Sequence, residues 1–170
     1  MLVRSNVISP IILDVEASGF GSGSYPIEVG VALDRDHRFC RLIRPQHDWL
    51  HWSDEAQALH GISRSMLMKK GVPVQQVCLE LNQLLERKTA YSDGWVVDSP
   101  WLSRLFESAG IAMAFELSQL ELILSEKQMD SWSVTKSRIL SETQVQRHRA
   151  SNDAAIILQT YLETRSSSIQ

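Results

Sequence analysis

An apolar run ending in two acids one residue apart, Ile11-Ile12-Leu13-Asp14-Val15-Glu16, constrains the fold of this chain more than any other stretch. Successive strand side chains point to opposite faces, so Asp14 and Glu16 share one face while Leu13 and Val15 share the other. The apolar residues before the acids mark a strand covered on both sides. Repulsion there is poorly screened, and one acid takes up a proton unless a cation lies between the two. A hard divalent cation such as magnesium meets that need, because it prefers carboxylate oxygens and keeps positions open for phosphate. The same triplet also arises by chance on solvated strand ends, so its meaning depends on partners elsewhere.

The rest of the chain supplies a setting. Ala17 to Pro26 holds three glycines and three serines and reads as a loop. Its Gly19-x-Gly21-x-Gly23 spacing is not a dinucleotide fingerprint, since the last glycine is one place early and Pro26 leads into a strand. Ile27 to Leu33 and His37 to Ile43 read as an antiparallel hairpin about Asp34-Arg35-Asp36, with Glu28 opposite Ile27 and Val29 in a structural place. Ser53 is an N-cap for a helix that His60-Gly61-Ile62 stops, and a short helix runs from Ser63 to Lys70. Val74, Val77, Cys78, Leu81, Leu84 and Leu85 recur at helical spacing. Thr89 to Ser92 reads as a strand entering a loop with Asp93, Gly94 and Asp98, and Trp101, Leu102, Leu105 and Phe106 form a helical stripe that Gly110 ends. Ala112 to Leu117 is expected as the last strand, with helices over Ser118 to Lys127 and Ser131 to Leu140. A closing helix carries Ala154, Ile157, Leu158, Tyr161 and Leu162. This order predicts an α/β fold with a mixed sheet, antiparallel at its start and parallel later, flanked by helices and with the first strand central.

With 170 residues, 44% hydrophobic and 22% charged, the chain suits a single domain over 1–170 with a core of about 10–165. Its 17 basic against 20 acidic residues give a net charge of −3. That excludes coating long duplexes by bulk charge but not gripping one chain end. Cys40 and Cys78 match no zinc spacing, Pro10, Asp14 and Glu16 interrupt any signal-peptide pattern, and no run approaches a membrane span. Reduced thiols and a soluble, cytoplasmic protein are therefore expected.

His148-Arg149-Ala150-Ser151-Asn152-Asp153 opens the last helix, placing Asp153 in its first turn and His148 on the segment entering it. With Asp14, Glu16 and Asp98, the chain offers four acids and a histidine at element ends. Four carboxylates suffice to hold two metal ions roughly 3.5–4 Å apart, the arrangement that stabilises attacking and leaving oxygens in phosphodiester cleavage. A histidine titrating near neutrality suits removal of a proton from the attacking water.

At these residues the sequence resembles the DEDDh group of 3′-5′ exonucleases, of ribonuclease-H-like fold, which includes polymerase proofreading subunits, ribonuclease T and oligoribonuclease. Asp14-Val15-Glu16-Ala17-Ser18-Gly19 looks like the first motif and Pro26-Ile27-Glu28-Val29-Gly30 like the strand after it. Ala58-Leu59-His60-Gly61-Ile62 looks like the segment that contacts the 3′-terminal nucleotide, Asp98 with Leu102 like the second motif, and His148-Arg149-Ala150 with Asp153-Ala154 like the third. The resemblance runs from Leu13 to about Leu158. It implies that Asp14, Glu16, Asp98 and Asp153 bind two Mg2+ or Mn2+ ions, that His148 is the general base, and that 5′-mononucleotides leave the 3′ end of single-stranded DNA or RNA. Ala17, Ser18, Gly19, Phe20, His60 and Ile62 would meet the substrate, with Phe20 and Ile62 as wedge or stacking residues or as core, and His60, taken without its His-Gly-Ile setting, as a loop histidine that bonds backbone. Arg149 stands where the tyrosine-type group has its tyrosine, which favours the histidine type. Ser92-Asp93-Gly94-Trp95 departs from the usual second motif and makes Asp93 an alternative ligand. Lys136, Arg138, Arg147 and Arg149 either offset phosphate charge or coat two helices. Trp95, Trp101 and Trp132 are core anchors or a homodimer surface. The rival readings are an inactive nucleic-acid-binding or interaction protein on the same fold, and an endonuclease or another phosphoesterase using the same metals.

Overall fold

The computed structural model describes residues 9–168. Its centre is β1 (Ile11–Ala17), paired antiparallel with β2 (Pro26–Ala32), which pairs antiparallel with β3 (Arg38–Leu42). On the other side of β1, β4 (Thr89–Ser92) and β5 (Glu116–Gln119) run parallel, giving the order β3-β2-β1-β4-β5. The expected mixed sheet and the central place of the first strand are both observed.

Alternation along β1 and β2 sorts the side chains onto two faces. Leu13, Val15, Ile27, Val29 and Val31 enter one core with α2 (Arg64–Lys70), α3 (Val74–Leu85) and α4 (Trp95–Ala109), while α1 (Asp54–His60) precedes α2 in the chain. Ile12 and Ala32 enter a second core beneath α6 (Ala150–Ser168), against which α5 (Glu126–Glu142) packs. Asp14, Glu16 and Glu28 therefore point toward α6. Gly30 lies on that same face, and a Cβ there would stand 2.1 Å from the Ser151 nitrogen and 2.2 Å from the Ala150 carbonyl carbon. Only a residue without a side chain lets the start of α6 approach the β2 backbone so closely.

Local chemistry sets the element ends. Ser53 accepts the Ala56 N–H to open α1, and Gly61, at φ 70°, closes it. Ser63 opens α2 in the same way. Ser125 and Gln128 form a reciprocal capping box at the start of α5.

Three expectations need correction. Asp98 is not in a loop, because α4 begins at Trp95 and places Asp98 in its first turn. The last strand is Glu116–Gln119 instead of Ala112 to Leu117. Residues Ser118 to Lys127 form the end of that strand, a 3-10 turn over Leu120–Ile123 and the start of α5, not one helix. Buried Leu120 is anchored in the α6-side core while Leu122 is 72% exposed, so this apolar run is pinned at one residue and lacks a continuous helical face. Among the described residues no helix is long and apolar enough to cross a membrane.

Candidate active site

The sheet opens where the acids stand. β4 pairs with β1 only at Ile11 and Ile12, so the two strands part before Asp14 and leave a crevice at the carboxyl ends of the parallel strands. The pairing register of β1 with β2 also shifts at this place, from Glu16 opposite Glu28 to Ala17 opposite Pro26. α4 fills part of the gap. The Asp98 carboxyl, 2% exposed, accepts the Ser92 hydroxyl at 2.5 Å and the Val15 backbone N–H. From the opposite direction, the segment entering α6 turns sharply at His148, whose φ is 57°. The Asp153 carboxyl reaches back to accept the His148 N–H at 3.0 Å, while the Asp153 N–H donates to the Arg149 carbonyl. The carboxylate thus caps a free backbone amide at the helix start and holds the Asp153 side chain beside the His148 backbone.

Asp14, Glu16, Asp98, His148 and Asp153 all line one cleft of about 260 Å³. Ligand atoms of Glu16, His148 and Asp153 lie within 4.8 Å of one another. Burial, then Asp98, Glu16, Asp153 and Asp93 in turn, pushes the Asp14 carboxyl well above its ordinary range. Burial, then Asp153, Glu28 and Asp98, raises Glu16 to about 8 against a lowering by Arg149. Burial raises Asp98 to about 7 despite the Ser92 hydrogen bond. Asp153 is also raised by burial, and the His148 N–H, Arg147, His148 and Lys136 offset that in part. At neutral pH such a group of acids must hold protons or a cation. The donors are oxygens with one imidazole, which fits a hard divalent ion.

The cleft wall beyond the acids is mostly apolar: Ala17, Ala56, Leu59, Val97 and Trp101 line it. Gly19 lines it too, at φ 140°, where a Cβ would stand 2.8 Å from the His51 ring. Phe20 stands at its mouth, 76% exposed, with its ring 5.9 Å from that of Trp101. His60 also faces the cleft. Its Nδ1 accepts the Ile62 N–H at 3.0 Å, and its buried Nε2 has no partner. Burial holds its pKa below the ordinary value, so the neutral ring carries its proton on Nε2 as a spare donor.

Two expected substrate contacts are not in the cleft. Ser18 is fully buried, its hydroxyl paired with His51 Nδ1 at 2.9 Å and with the Tyr25 N–H at 3.1 Å. Ile62 is fully buried in the core on the α3 side of the sheet. Asp93 is held by Lys136 from α5, Nζ to Oδ2 2.6 Å. Ala56, Val97 and Trp101 also line the cleft without any motif of their own in the sequence, and the helical spacing of Ala56 from Leu59 and of Trp101 from Val97 and Asp98 is the signal that marks them. Trp101 donates to the Ser24 hydroxyl and Trp95 to the Leu117 carbonyl, so both indoles are tied within the chain.

No protein-family model and no curated protein sequence matches the chain. Its structure is similar to that of a moderately thermophilic exonuclease I from Methylocaldum szegediense, with a TM-score of 0.68, 11% identity and coverage of 93% of this chain and 40% of that one. It is also similar to E. coli exonuclease I in complex with a dA16 oligonucleotide, with a TM-score of 0.66, 11% identity and coverage of 94% and 42%. A zinc-bound complex of the E. coli enzyme with single-stranded DNA gives a TM-score of 0.68 at 10% identity, covering 95% and 41%. The chain thus spans about two fifths of the length of these structures, and the likeness is one of fold.

Proposed function

We propose that this chain is a single exonuclease domain that hydrolyses phosphodiester bonds at the 3′ end of single-stranded DNA or RNA and releases 5′-mononucleotides. The observation that carries the reading is the gathering of Asp14, Glu16, Asp98 and Asp153 with His148 at one end of an apolar cleft, in a field that raises every one of those carboxyls. Asp14, Glu16, Asp98 and Asp153 would hold two Mg2+ or Mn2+ ions, which when bound supply Lewis-acid stabilisation of phosphoryl charge. The likeness to exonuclease I structures holding single-stranded oligonucleotides supports the same reading.

The chain's own residues divide the remaining work. The apolar wall takes the terminal nucleoside, with Phe20 and Trp101 offering ring faces to a base. His60 Nε2 offers a donor to the same nucleotide. Glu16, Asp153 and His148 surround the point where a water would attack. His148 takes the proton of that water, its approach set by the backbone bond to Asp153. His148→Ala therefore slows turnover by roughly a hundredfold while KM changes little. Steady-state kinetics across pH checks this. A variant with the parent's pH-rate profile removes His148 from the base role.

End-labelled oligonucleotides with free and blocked 3′ ends, incubated with Mn2+, test the function itself. The expected result is stepwise shortening from the free end and none from the blocked one. Equal cleavage of both strands points to an endonuclease and overturns the proposal. Binding without cleavage leaves the inactive binding protein.

A further inference from the structure

The acids have a second side. Asp14 and Asp153, which line the apolar cleft, also line a separate pocket whose other walls include Asp93, Lys136, Arg147 and Leu140. The two openings therefore meet at the same carboxylates. Beyond the shared acids their chemistry differs, since one presents Val97, Trp101 and Leu59 and the other adds Lys136 and Arg147 to Asp93, Leu140, Ile156 and Ile157. A chain end laid across the acids would put a nucleoside into the first and backbone phosphate into the second.

Lys136 is well placed for that role. It projects from α5, which otherwise packs on α6, to Asp93 in the turn between β4 and α4. The pair is only partly solvated, with side-chain exposures of 28% and 24%. One bond to a carboxylate leaves further N–H donors on the ammonium. The Asp93 carboxylate already faces a cation of the chain itself, which argues for a holder of Lys136 over a metal ligand.

The geometry points to a phosphate subsite formed by Lys136 and Arg147, with Asp93 as its positioning residue, that takes the internucleotide phosphate on the 5′ side of the scissile one. This assignment rests on the exonuclease reading above. It makes Lys136 a residue that senses whether the substrate continues beyond its last linkage, and the pocket's ligand a phosphodiester anion of the chain being shortened.

The test uses the full chain with Mn2+ and two dT6 strands, one natural and one with a single neutral methylphosphonate at the linkage next to the scissile one. The readout is kcat/KM for release of the first nucleotide. The parent is expected to prefer the charged strand by about tenfold, as loss of a charge-assisted hydrogen bond implies. Lys136→Met lowers that ratio several-fold, Lys136→Met with Arg147→Met brings it close to one, and Lys136→Arg restores most of the parent's preference. A merely structural ion pair would lower both rates together and keep the ratio. A parent with no preference, or a preference that survives undiminished in Lys136→Met, overturns the subsite while leaving the exonuclease reading intact. Failure of the parent to shorten either strand removes that reading, and the subsite with it.

Discussion

The Asp14→Asn variant loses at least roughly a thousandfold in hydrolysis and gains stability near neutral pH. The two effects have one cause. Burial and the facing carboxyls of Asp98, Glu16, Asp153 and Asp93 hold Asp14 well above the ordinary carboxylate range, so its charge is costly until a cation is present. The sign of the pH dependence follows from proton counting. Glu16 goes from its ordinary 4.5 to about 8, and Asp98 from 3.8 to about 7. Between those limits the folded chain holds more protons than the unfolded one, so the metal-free protein loses stability as pH rises from about 4 to about 8. Asn at 14 removes one member of the repelling set and flattens that fall. Mg2+ or Mn2+ restores the parent by binding the folded state alone. Thermal unfolding at pH 5 and pH 8, with and without metal, read beside oligonucleotide hydrolysis, checks both halves. Parent-level turnover, or a lower melting temperature than the parent at pH 8 without metal, breaks the link between acid crowding and activity.

What the sequence made legible here is what short-range rules govern. Alternation along Ile11 to Glu16 correctly put both acids on one face, and Ser53 and Gly61 mark the ends of α1 because capping is decided within a few residues. The same rules place His148 and Asp153 five residues apart at a helix start, where one can bond the other. They fail where an apolar run is short. Leu120, Leu122, Ile123 and Leu124 satisfy a helical or an extended pattern about equally, and contact with the second core decides between them. They fail again at Asp98, because Val96 and Val97 read as a continuation of the preceding loop when α4 had already begun. Ser18 and Ile62 lie beside cleft residues in sequence, yet contacts with His51 and Tyr25 and with the core turn them inward. Neither pairing of Lys136 with Asp93 nor of Arg149 with Glu28 has a local signature, since the partners are 43 and 121 residues apart.

That last pair carries the second large effect. Glu28 is fully buried, and its carboxylate takes the Arg149 guanidinium at 2.6 and 3.1 Å and the Ala150 backbone N–H at 2.9 Å. It therefore satisfies one of the unpaired amides at the start of α6 and anchors the residue between His148 and Ala150. Glu28→Ala leaves that amide and the guanidinium without their partner. The expected loss is about 3 kcal/mol, at the low end for a broken buried pair because the Arg149 side chain is 31% exposed. Removing both charges with Glu28→Met and Arg149→Met recovers part of that loss, since no uncompensated ion remains under the helix. Activity behaves differently: the double variant still lacks the acceptor that orients the α6 start, so its kcat stays below the parent's even where its urea midpoint approaches it. Urea unfolding of the parent, Glu28→Ala, Glu28→Met, Arg149→Met and the double variant, with kcat measured on each, separates the two roles. A Glu28→Ala midpoint equal to the parent's shows that the pair does not secure α6. A double variant with full kcat shows that it secures the helix without setting His148 and Asp153.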